Sequence, residues 1–267
     1  MTPAASLKDA SLSFGHRVLW HGLDLQINPG EFFAVLGPNG SGKTSLMRVL
    51  LGLQPLTHGT AQINGRPVAR GSRDIGYIPQ QKSFAPGTPL RARDLVGLGL
   101  DGHRWGVRLG SRRFRRRVDE LLEQVGASSY ADAPVGLLSG GEQQRLRAAQ
   151  ALAGDPKVLL CDEPLLSLDL HHQQAISSLI NQQCHVKGSA VVFVTHEINP
   201  IIDYVDRVLY LAGGQFRVGT PEEVMTTEVL SDMYNSHVEV IHTEGRIVVV
   251  GLPDATTHHH AEQGEDF

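Results

Sequence analysis

Positions 37–44 read GPNGSGKT and fit the phosphate-binding pattern G-x-x-x-x-G-K-[ST]. The glycines let successive backbone N–H groups turn toward an anion, and the N-terminus of a following helix adds to that field. A lysine ammonium would reach the outer phosphates, and a threonine hydroxyl would ligate Mg²⁺. We therefore predict a polyphosphate cradle formed by Gly37, Pro38, Asn39, Gly40, Ser41, Gly42, Lys43, Thr44 and Ser45.

Two adjacent carboxylates, Asp162 and Glu163, follow the apolar run at 158–161. Consecutive residues of a strand point to opposite sides, so we expect one to serve a metal ion and the other a water molecule. The alternative is two solvated acids at a strand end. Gln80 and His196 also end apolar stretches, at the edge where α/β sheets place their ligands, although a lone histidine there is often only a satisfied polar side chain.

A third candidate is LSGGEQQR at 138–145, which opens a helix running to Ala153. Ser139 and Glu142 have the spacing of a capping box. Gly140 and Gly141 within the first turn cost helix stability, which indicates that something approaches this N-terminus closely, most plausibly an anion. Phe14, before Gly15, could stack on a purine ring or be an ordinary strand aromatic.

The elements around these residues alternate between apolar strands and helices, which predicts an α/β fold with a mostly parallel sheet buried on both faces. Residues 7–27 read as short strands and turns, and 59–82 as a small β meander that ends at Gln80. A helical insertion follows, with helices near 91–98 and 113–125. The remainder, with hairpins at 208–218 and 238–250, reads as an appendage.

The composition is that of a globular protein: 267 residues, 41% hydrophobic, with a net charge of −4 and a pI of about 6.3. No global basic field favours nucleic acid, no apolar run is long enough to span a membrane, and no signal peptide is recognisable. The two cysteines, Cys161 and Cys184, read as core thiols of a reducing compartment.

The sequence has one basic cluster. We interpret it first as a solvated helix face, second as a surface near lipid headgroups or a partner, and last as a nucleic-acid patch. Its residues are Arg104, Arg108, Arg112, Arg113, Arg115, Arg116 and Arg117, interrupted by Trp105 and Phe114.

Together these motifs resemble the ATP-binding subunit of ABC transporters, over about residues 7–235. The phosphate loop marks only a broad superfamily of P-loop NTPases, whereas LSGGEQQR is the family signature. The resemblance implies a core sheet with an antiparallel β subdomain and a helical subdomain. Residues 5–235 would form the ATPase domain, with the helical subdomain at about 84–140. Residues 236–252 would be a β-hairpin appendage, and 253–267 a disordered tail containing His258, His259 and His260.

The resemblance also implies the cofactors, ATP and Mg²⁺, and a role for each site residue. Catalytic roles fall to Glu163 as the base, His196 at the γ-phosphate, Gln80 and Lys43. Mg²⁺ would be held by Thr44, Gln80 and Asp162, and Phe14 would stack on adenine. Ser139, Gly140, Gly141 and Glu142 would meet the nucleotide of a second copy in a head-to-tail homodimer. Asp169, grouped with these nucleotide-binding residues, would contact the opposite subunit. The sequence departs from the pattern at Leu165 and Leu166, and at Thr44 followed by Ser45.

The implied function is an ATP-hydrolysing subunit at the cytoplasmic face of the cell membrane, docked on an integral-membrane permease that receives solute from an extracytoplasmic binding protein. The layout around Gln80 and 84–86 is most similar to manganese, zinc and iron importers. Import of a divalent metal ion is therefore the preferred hypothesis. Import of an iron chelate or another small solute stays open, as do export and a soluble ABC ATPase without a transport role.

Overall fold

The computed structural model describes residues 2–80, 83–102, 111–166, 168–243 and 245–251. The strands are β1 (Ala5–Phe14), β2 (Arg17–Ile27), β3 (Phe32–Leu36), β4 (His58–Ile63), β5 (Arg66–Pro67), β6 (Ile75–Ile78), β7 (Val158–Asp162), β8 (Ala190–Val194), β9 (Arg207–Ala212), β10 (Gln215–Gly219), β11 (Glu239–Thr243) and β12 (Arg246–Val250). The α-helices are α1 (Lys43–Leu50), α2 (Ala92–Asp101), α3 (Arg112–Gln124), α4 (Gly140–Leu152), α5 (Leu170–Asn181), α6 (Pro221–Val224) and α7 (Thr227–Tyr234).

A six-stranded sheet in the order β10-β9-β3-β8-β7-β6 forms the centre of the molecule. All neighbouring pairs are parallel except β10 with β9. Every residue of β3, β7 and β8 is buried, because both faces of the sheet are covered. One face packs against α4 and α5, and the other packs against α1 and the strands β1 and β2. The predicted α/β class with a mostly parallel core sheet is confirmed.

An antiparallel sheet, β2-β1-β4-β5, packs beside the central one. Residues 7–27 were expected to form short strands, but β1 and β2 are long strands of 10 and 11 residues, paired from Ala5↔Ile27 to Phe14↔Arg17. The Asn64-Gly65 turn joins β4 to β5 as predicted, with both residues at positive φ. The expected meander over 59–82 is wrong in its last part, because β6 leaves this sheet and pairs in parallel with β7.

Helices α2 and α3 fill the predicted helical insertion and pack against α4 through a core that includes Val96 and Leu121. Helix α3 carries the described part of the basic cluster. Arg116 contacts Glu120 at 3.1 Å and Arg117 contacts Asp155 at 3.0 Å, as expected of a solvated, ion-paired helix face. Arg104, Trp105 and Arg108 lie outside the described residues.

The C-terminal part contains two hairpins with different roles. The hairpin β9–β10 was expected in an appendage, but β9 pairs in parallel with β3 and extends the central sheet. Strands β11 and β12 form their own two-stranded sheet, which packs on the main core through Ile247. Whether 236–252 is a separate unit stays a prediction, and the proposed tail at 253–267 lies outside the described residues.

Two further expectations concern the core and the membrane. Cys161 and Cys184 are buried free thiols, as predicted. In the described part of the chain, no helix has the length and apolar character needed to cross a bilayer.

Candidate functional site

The phosphate loop connects the buried end of β3 to the start of α1. Gly37, Gly40 and Gly42 all have positive φ, which is accessible to glycine at little cost. A Cβ atom at Gly37 would collide with the carbonyl of Leu211 on β9. Gly42 is the N-cap of α1 and supplies no side-chain cap, so the first amides of the helix remain for an anion.

Lys43 is a buried lysine that curls back into the phosphate loop. Its Nζ atom donates to the carbonyl oxygens of Gly37, at 2.6 Å, and Pro38, at 2.9 Å. Burial lowers the pKa of this ammonium, and the nearby carboxylates of Glu163 and Asp162 oppose that shift. The positive charge therefore lies within the ring of amides, where a phosphate would replace the two carbonyls as its partner.

The adjacent carboxylates Asp162 and Glu163 have different surroundings because the backbone changes conformation between them. Asp162 ends β7 with 3% of its surface exposed, whereas Glu163 follows the strand at φ 48° and donates its backbone N–H to the carbonyl of Val194. The expected divergence of the two carboxylates therefore arises from a left-handed residue and not from strand alternation. Burial, and then the charge of Glu163, raise the pKa of Asp162, while Lys43 lowers it.

Gln80 and His196 approach Glu163 from the two strands next to β7. The Nε2 atom of Gln80, beyond β6, donates to Glu163 Oε2 at 3.0 Å. The Nδ1 atom of His196, beyond β8, lies 3.9 Å from Glu163 Oε1. These three side chains and loop residues 37–39 line one cleft of about 610 Å³, so the structure brings together groups that are more than 100 residues apart in the chain.

The three predicted magnesium ligands carry oxygen atoms of the kind that this ion prefers. Asp162 offers a buried carboxylate, Thr44 a hydroxyl and Gln80 an amide oxygen, and all three atom types suit a hard cation. Burial and the charge of Glu163 raise the pKa of Asp162, and Lys43 and Arg48 lower it, so a bound cation would stabilise the ionised form of this carboxylate. Among the described residues, no group of three or more His, Cys, Asp or Glu could hold a metal by itself, so the cation would also need phosphate oxygens.

The signature LSGGEQQR lines a different depression. The predicted capping box is present: Ser139 Oγ accepts from the N–H of Glu142 at 3.3 Å, and the Glu142 carboxylate accepts from the N–H of Ser139 at 2.8 Å. Together with Gly140, Gly141 and Asp169, these residues line a depression of about 410 Å³ that shares no lining residue with the cleft at Glu163. Within one chain, the signature and the phosphate loop thus line separate depressions.

Two further predicted binding residues, Asp169 and Phe14, are exposed. Asp169 is the N-cap of α5 and accepts from the backbone N–H of His172 at 2.9 Å and from its ring Nδ1 at 2.7 Å. The hydrogen bonds from His172 lower the pKa of Asp169. Phe14 ends β1 with 54% of its surface exposed, beside Arg17, whose guanidinium donates to the carbonyl of Gly40 at 2.8 Å. An aromatic face therefore stands open next to the phosphate loop.

Sequence reasoning missed three residues that touch the site. Tyr77 on β6 donates its hydroxyl to Asp162, and burial raises the pKa of Tyr77 to about 12. Arg17 holds the loop at Gly40, and Asn199 follows the His196 segment. Only Tyr77 had a detectable signal, because a tyrosine inside a strand that ends at Gln80 needs a partner for its hydroxyl.

A family model described as "ABC transporter" matches residues 20–166. Three relatives span nearly all of the chain. The manganese transport system ATP-binding protein of Halalkalibacterium halodurans is 30% identical and covers 94% of this chain and 100% of the relative. The zinc transport system ATP-binding protein of Treponema pallidum is 32% identical and covers 88% of each. The hemin import ATP-binding protein of Rhizobium meliloti is 32% identical and covers 93% of this chain and 98% of the relative.

A solved structure agrees with the fold and is itself dimeric. It is described as the dimeric structure of a post-hydrolysis state of an ATP-binding cassette bound to ADP and Pi. It superimposes with a TM-score of 0.71 at 29% identity and covers 81% of this chain and 98% of that chain.

Proposed function

This chain belongs to the ABC transporter family, and from that premise we propose that it hydrolyses ATP to power the import of a divalent metal ion, manganese or zinc. The ATPase part of this statement follows from the family. The observation that carries it is the contact of Glu163 with Gln80 at 3.0 Å and the approach of His196 to 3.9 Å, beside the phosphate loop.

In the proposed hydrolysis, each of these side chains has a different role. Lys43 and the amides of loop 37–43 would hold the β- and γ-phosphates. Glu163 would accept a proton from the attacking water, with Gln80 fixing the carboxylate and His196 facing the γ-phosphate. A magnesium ion held by Thr44, Gln80 and Asp162 would supply charge neutralisation for the phosphate oxygens. Little covalent chemistry is left to the protein, so positioning and charge do most of the work.

A second copy of the chain completes the site in this proposal. The α4 N-terminus, opened by Gly140 and Gly141, would face the γ-phosphate held by Lys43 of the partner copy. The phosphate loop and the signature line separate depressions of one chain, which supports this arrangement over closure within a single molecule. Asp169, beside the signature, would contact the partner copy.

The cargo proposal rests on the relatives. Their names include manganese and zinc transport, and one is a hemin importer, so an iron chelate is the competing cargo. We propose the metal ion because two of these three relatives are named for manganese or zinc transport. The subunit would act at the cytoplasmic face of the membrane on an integral-membrane permease, with an extracytoplasmic solute-binding protein delivering the ion.

The substitution Glu163→Gln tests the catalytic assignment. The variant should bind Mg-ATP and dimerise, as measured by light scattering after gel filtration, while its steady-state ATPase rate falls at least about 100-fold. Glu239→Gln, an exposed carboxylate on β11, is the matched control and should hydrolyse ATP normally. A Glu163→Gln variant with a normal rate would refute the base, and one that stays monomeric in saturating Mg-ATP would refute the shared site.

Uptake measurements test the cargo. In cells that carry only the Glu163→Gln variant, uptake of radioactive manganese or zinc should drop to the level of a strain without the subunit, while hemin uptake should be unchanged. Loss of hemin uptake with normal metal uptake would reverse the cargo proposal and leave the ATPase assignment intact.

A further inference from the structure

We infer that Asn199 is a positioning residue for His196, and that it acts by fastening the segment after His196 to strand β12. The inference rests on the proposed ATPase function. Two hydrogen bonds carry it: the backbone N–H of Ile247 donates to Asn199 Oδ1 at 2.8 Å, and Asn199 Nδ2 donates to the carbonyl of Ile247 at 2.9 Å. The side-chain amide thus pairs with β12 as a neighbouring strand would.

The His196 imidazole needs such support because its own contacts do not fix it. Its side chain is 55% exposed, and its Nδ1 atom lies 3.9 Å from Glu163, beyond hydrogen-bonding distance. The position of the ring relative to Glu163 is therefore set by the backbone on either side of it.

On the N-terminal side, Thr195 provides that support. Its backbone N–H donates to Val35 on β3 at 3.1 Å, and its hydroxyl donates to the carbonyl of Glu197 at 2.9 Å. The hydroxyl also accepts from the backbone N–H of Glu197 at 3.1 Å. The backbone of His196 lies between the two residues, Thr195 and Glu197, that these hydrogen bonds join.

On the C-terminal side, Ile198 is buried, and Asn199 then starts a 3₁₀ segment with proline next in the chain. The two bonds to Ile247 fix the start of that segment. Because Ile247 is itself packed in the main core, the part of β12 that binds Asn199 is held in place by the core. Asn199, Ile247, His196 and Glu163 all line the same cleft, which makes the C-terminal hairpin a wall of the catalytic site.

Asparagine is the side chain that this geometry requires. Its amide provides one donor and one acceptor on the same planar group, which matches the carbonyl and N–H of a single backbone residue. Alanine provides neither group, and ionised aspartate would place a second acceptor against the Ile247 carbonyl.

Steady-state ATPase kinetics of the full chain test the inference. Asn199→Ala should lower kcat about tenfold while KM for Mg-ATP stays within about twofold, because His196 moves and the phosphate loop does not. Asn199→Asp, which keeps the shape of the side chain, should lower kcat in the same way. Thr227→Val is the matched control: it removes another bond to this hairpin, from the N–H of Val240 to Thr227 Oγ1, and should keep the wild-type kcat.

A comparison of single and double substitutions distinguishes a role of Asn199 in positioning His196 from a general loss of stability of the protein. If Asn199 acts through His196, adding Asn199→Ala to His196→Ala should change the single-turnover rate by less than about twofold. Equal loss in both backgrounds, or a wild-type kcat in both Asn199 variants, would overturn the inference. An active wild type with an inactive Glu163→Gln variant would then leave the proposed function standing, whereas an inert wild type would overturn both.

Discussion

Gln80 donates its side-chain amide to Glu163 across 3.0 Å, and this bond joins the ends of two adjacent parallel strands, β6 and β7. Because the donor is the amide nitrogen, the amide oxygen of Gln80 is the atom that could ligate a cation. The Gln80 side chain would therefore bind the Glu163 carboxylate through its nitrogen and the proposed Mg²⁺ through its oxygen.

We expect Gln80→Ala to lower the ATPase kcat about tenfold or more, because Glu163 loses the partner that orients it. The KM for Mg-ATP should change less, since the phosphate-loop amides are untouched. Gln26→Ala, on the exposed side of β2, is the control and should match the wild type in steady-state assays. A kcat unchanged by Gln80→Ala would mean that this bond does not position the base.

Asp162→Asn should make the protein more stable and inactive. The raised pKa of Asp162 shows that folding disfavours its charged form, mainly because of burial. The native state therefore holds this proton more tightly than the unfolded chain, so the charged carboxylate destabilises the fold above the raised pKa. We expect the melting temperature at pH 7.5, without nucleotide, to rise by about 2–4 °C, as ~1 kcal/mol would produce in a domain of this size.

The gain should shrink as the pH falls through the Asp162 pKa, because the wild-type carboxyl then takes up the proton and becomes neutral like asparagine. Melting curves at several pH values down to about 4 would show the two proteins converging as the pH approaches 3.8, the ordinary pKa of an aspartate carboxyl. A gain of the same size at every pH would contradict an electrostatic origin.

The local parts of the site were predictable from the sequence because spacing alone encodes them. The phosphate loop needs glycines between a strand and a helix, and the capping box needs Ser139 three residues before Glu142; both are present as expected. The burial of β7 and β8 followed in the same way from continuous apolar runs.

The parts that were missed depend on contacts between distant segments. β6 pairs with β7, more than 80 residues later, and β9 pairs with β3, so a local reading assigned both to the wrong unit. The bond from Arg17 to Gly40 and the bonds from Asn199 to Ile247 have no sequence pattern, because they join side chains to backbone groups of another element. Strand order and such ties are decided by the packing of the whole fold.

Gly37→Ala should damage both the fold and nucleotide binding. Gly37 has φ +136°, and an added Cβ would collide with the carbonyl of Leu211. We expect a melting temperature lower by several degrees and an affinity for ATP reduced at least about tenfold, measured with a fluorescent nucleotide. Gly87→Ala is the control: Gly87 has no such φ and nothing within 4 Å of the added atom, so both quantities should stay at wild-type values.

Two serines that both cap a helix allow the proposed contact of the signature with the second nucleotide to be tested separately from its effect on helix stability. Ser139 caps α4 and Ser111 caps α3, each by accepting from the backbone N–H three residues later. Replacing either with alanine should cost about 1 kcal/mol of stability, the usual value of an N-cap. Only Ser139 lies in the depression that would face the partner's nucleotide. In the Glu163→Gln background, Ser139→Ala should therefore weaken Mg-ATP-dependent dimerisation at least about fivefold in sedimentation experiments, while Ser111→Ala leaves it unchanged. Equal effects of the two substitutions would indicate that the cap acts through helix stability alone and that the signature does not contact the second nucleotide.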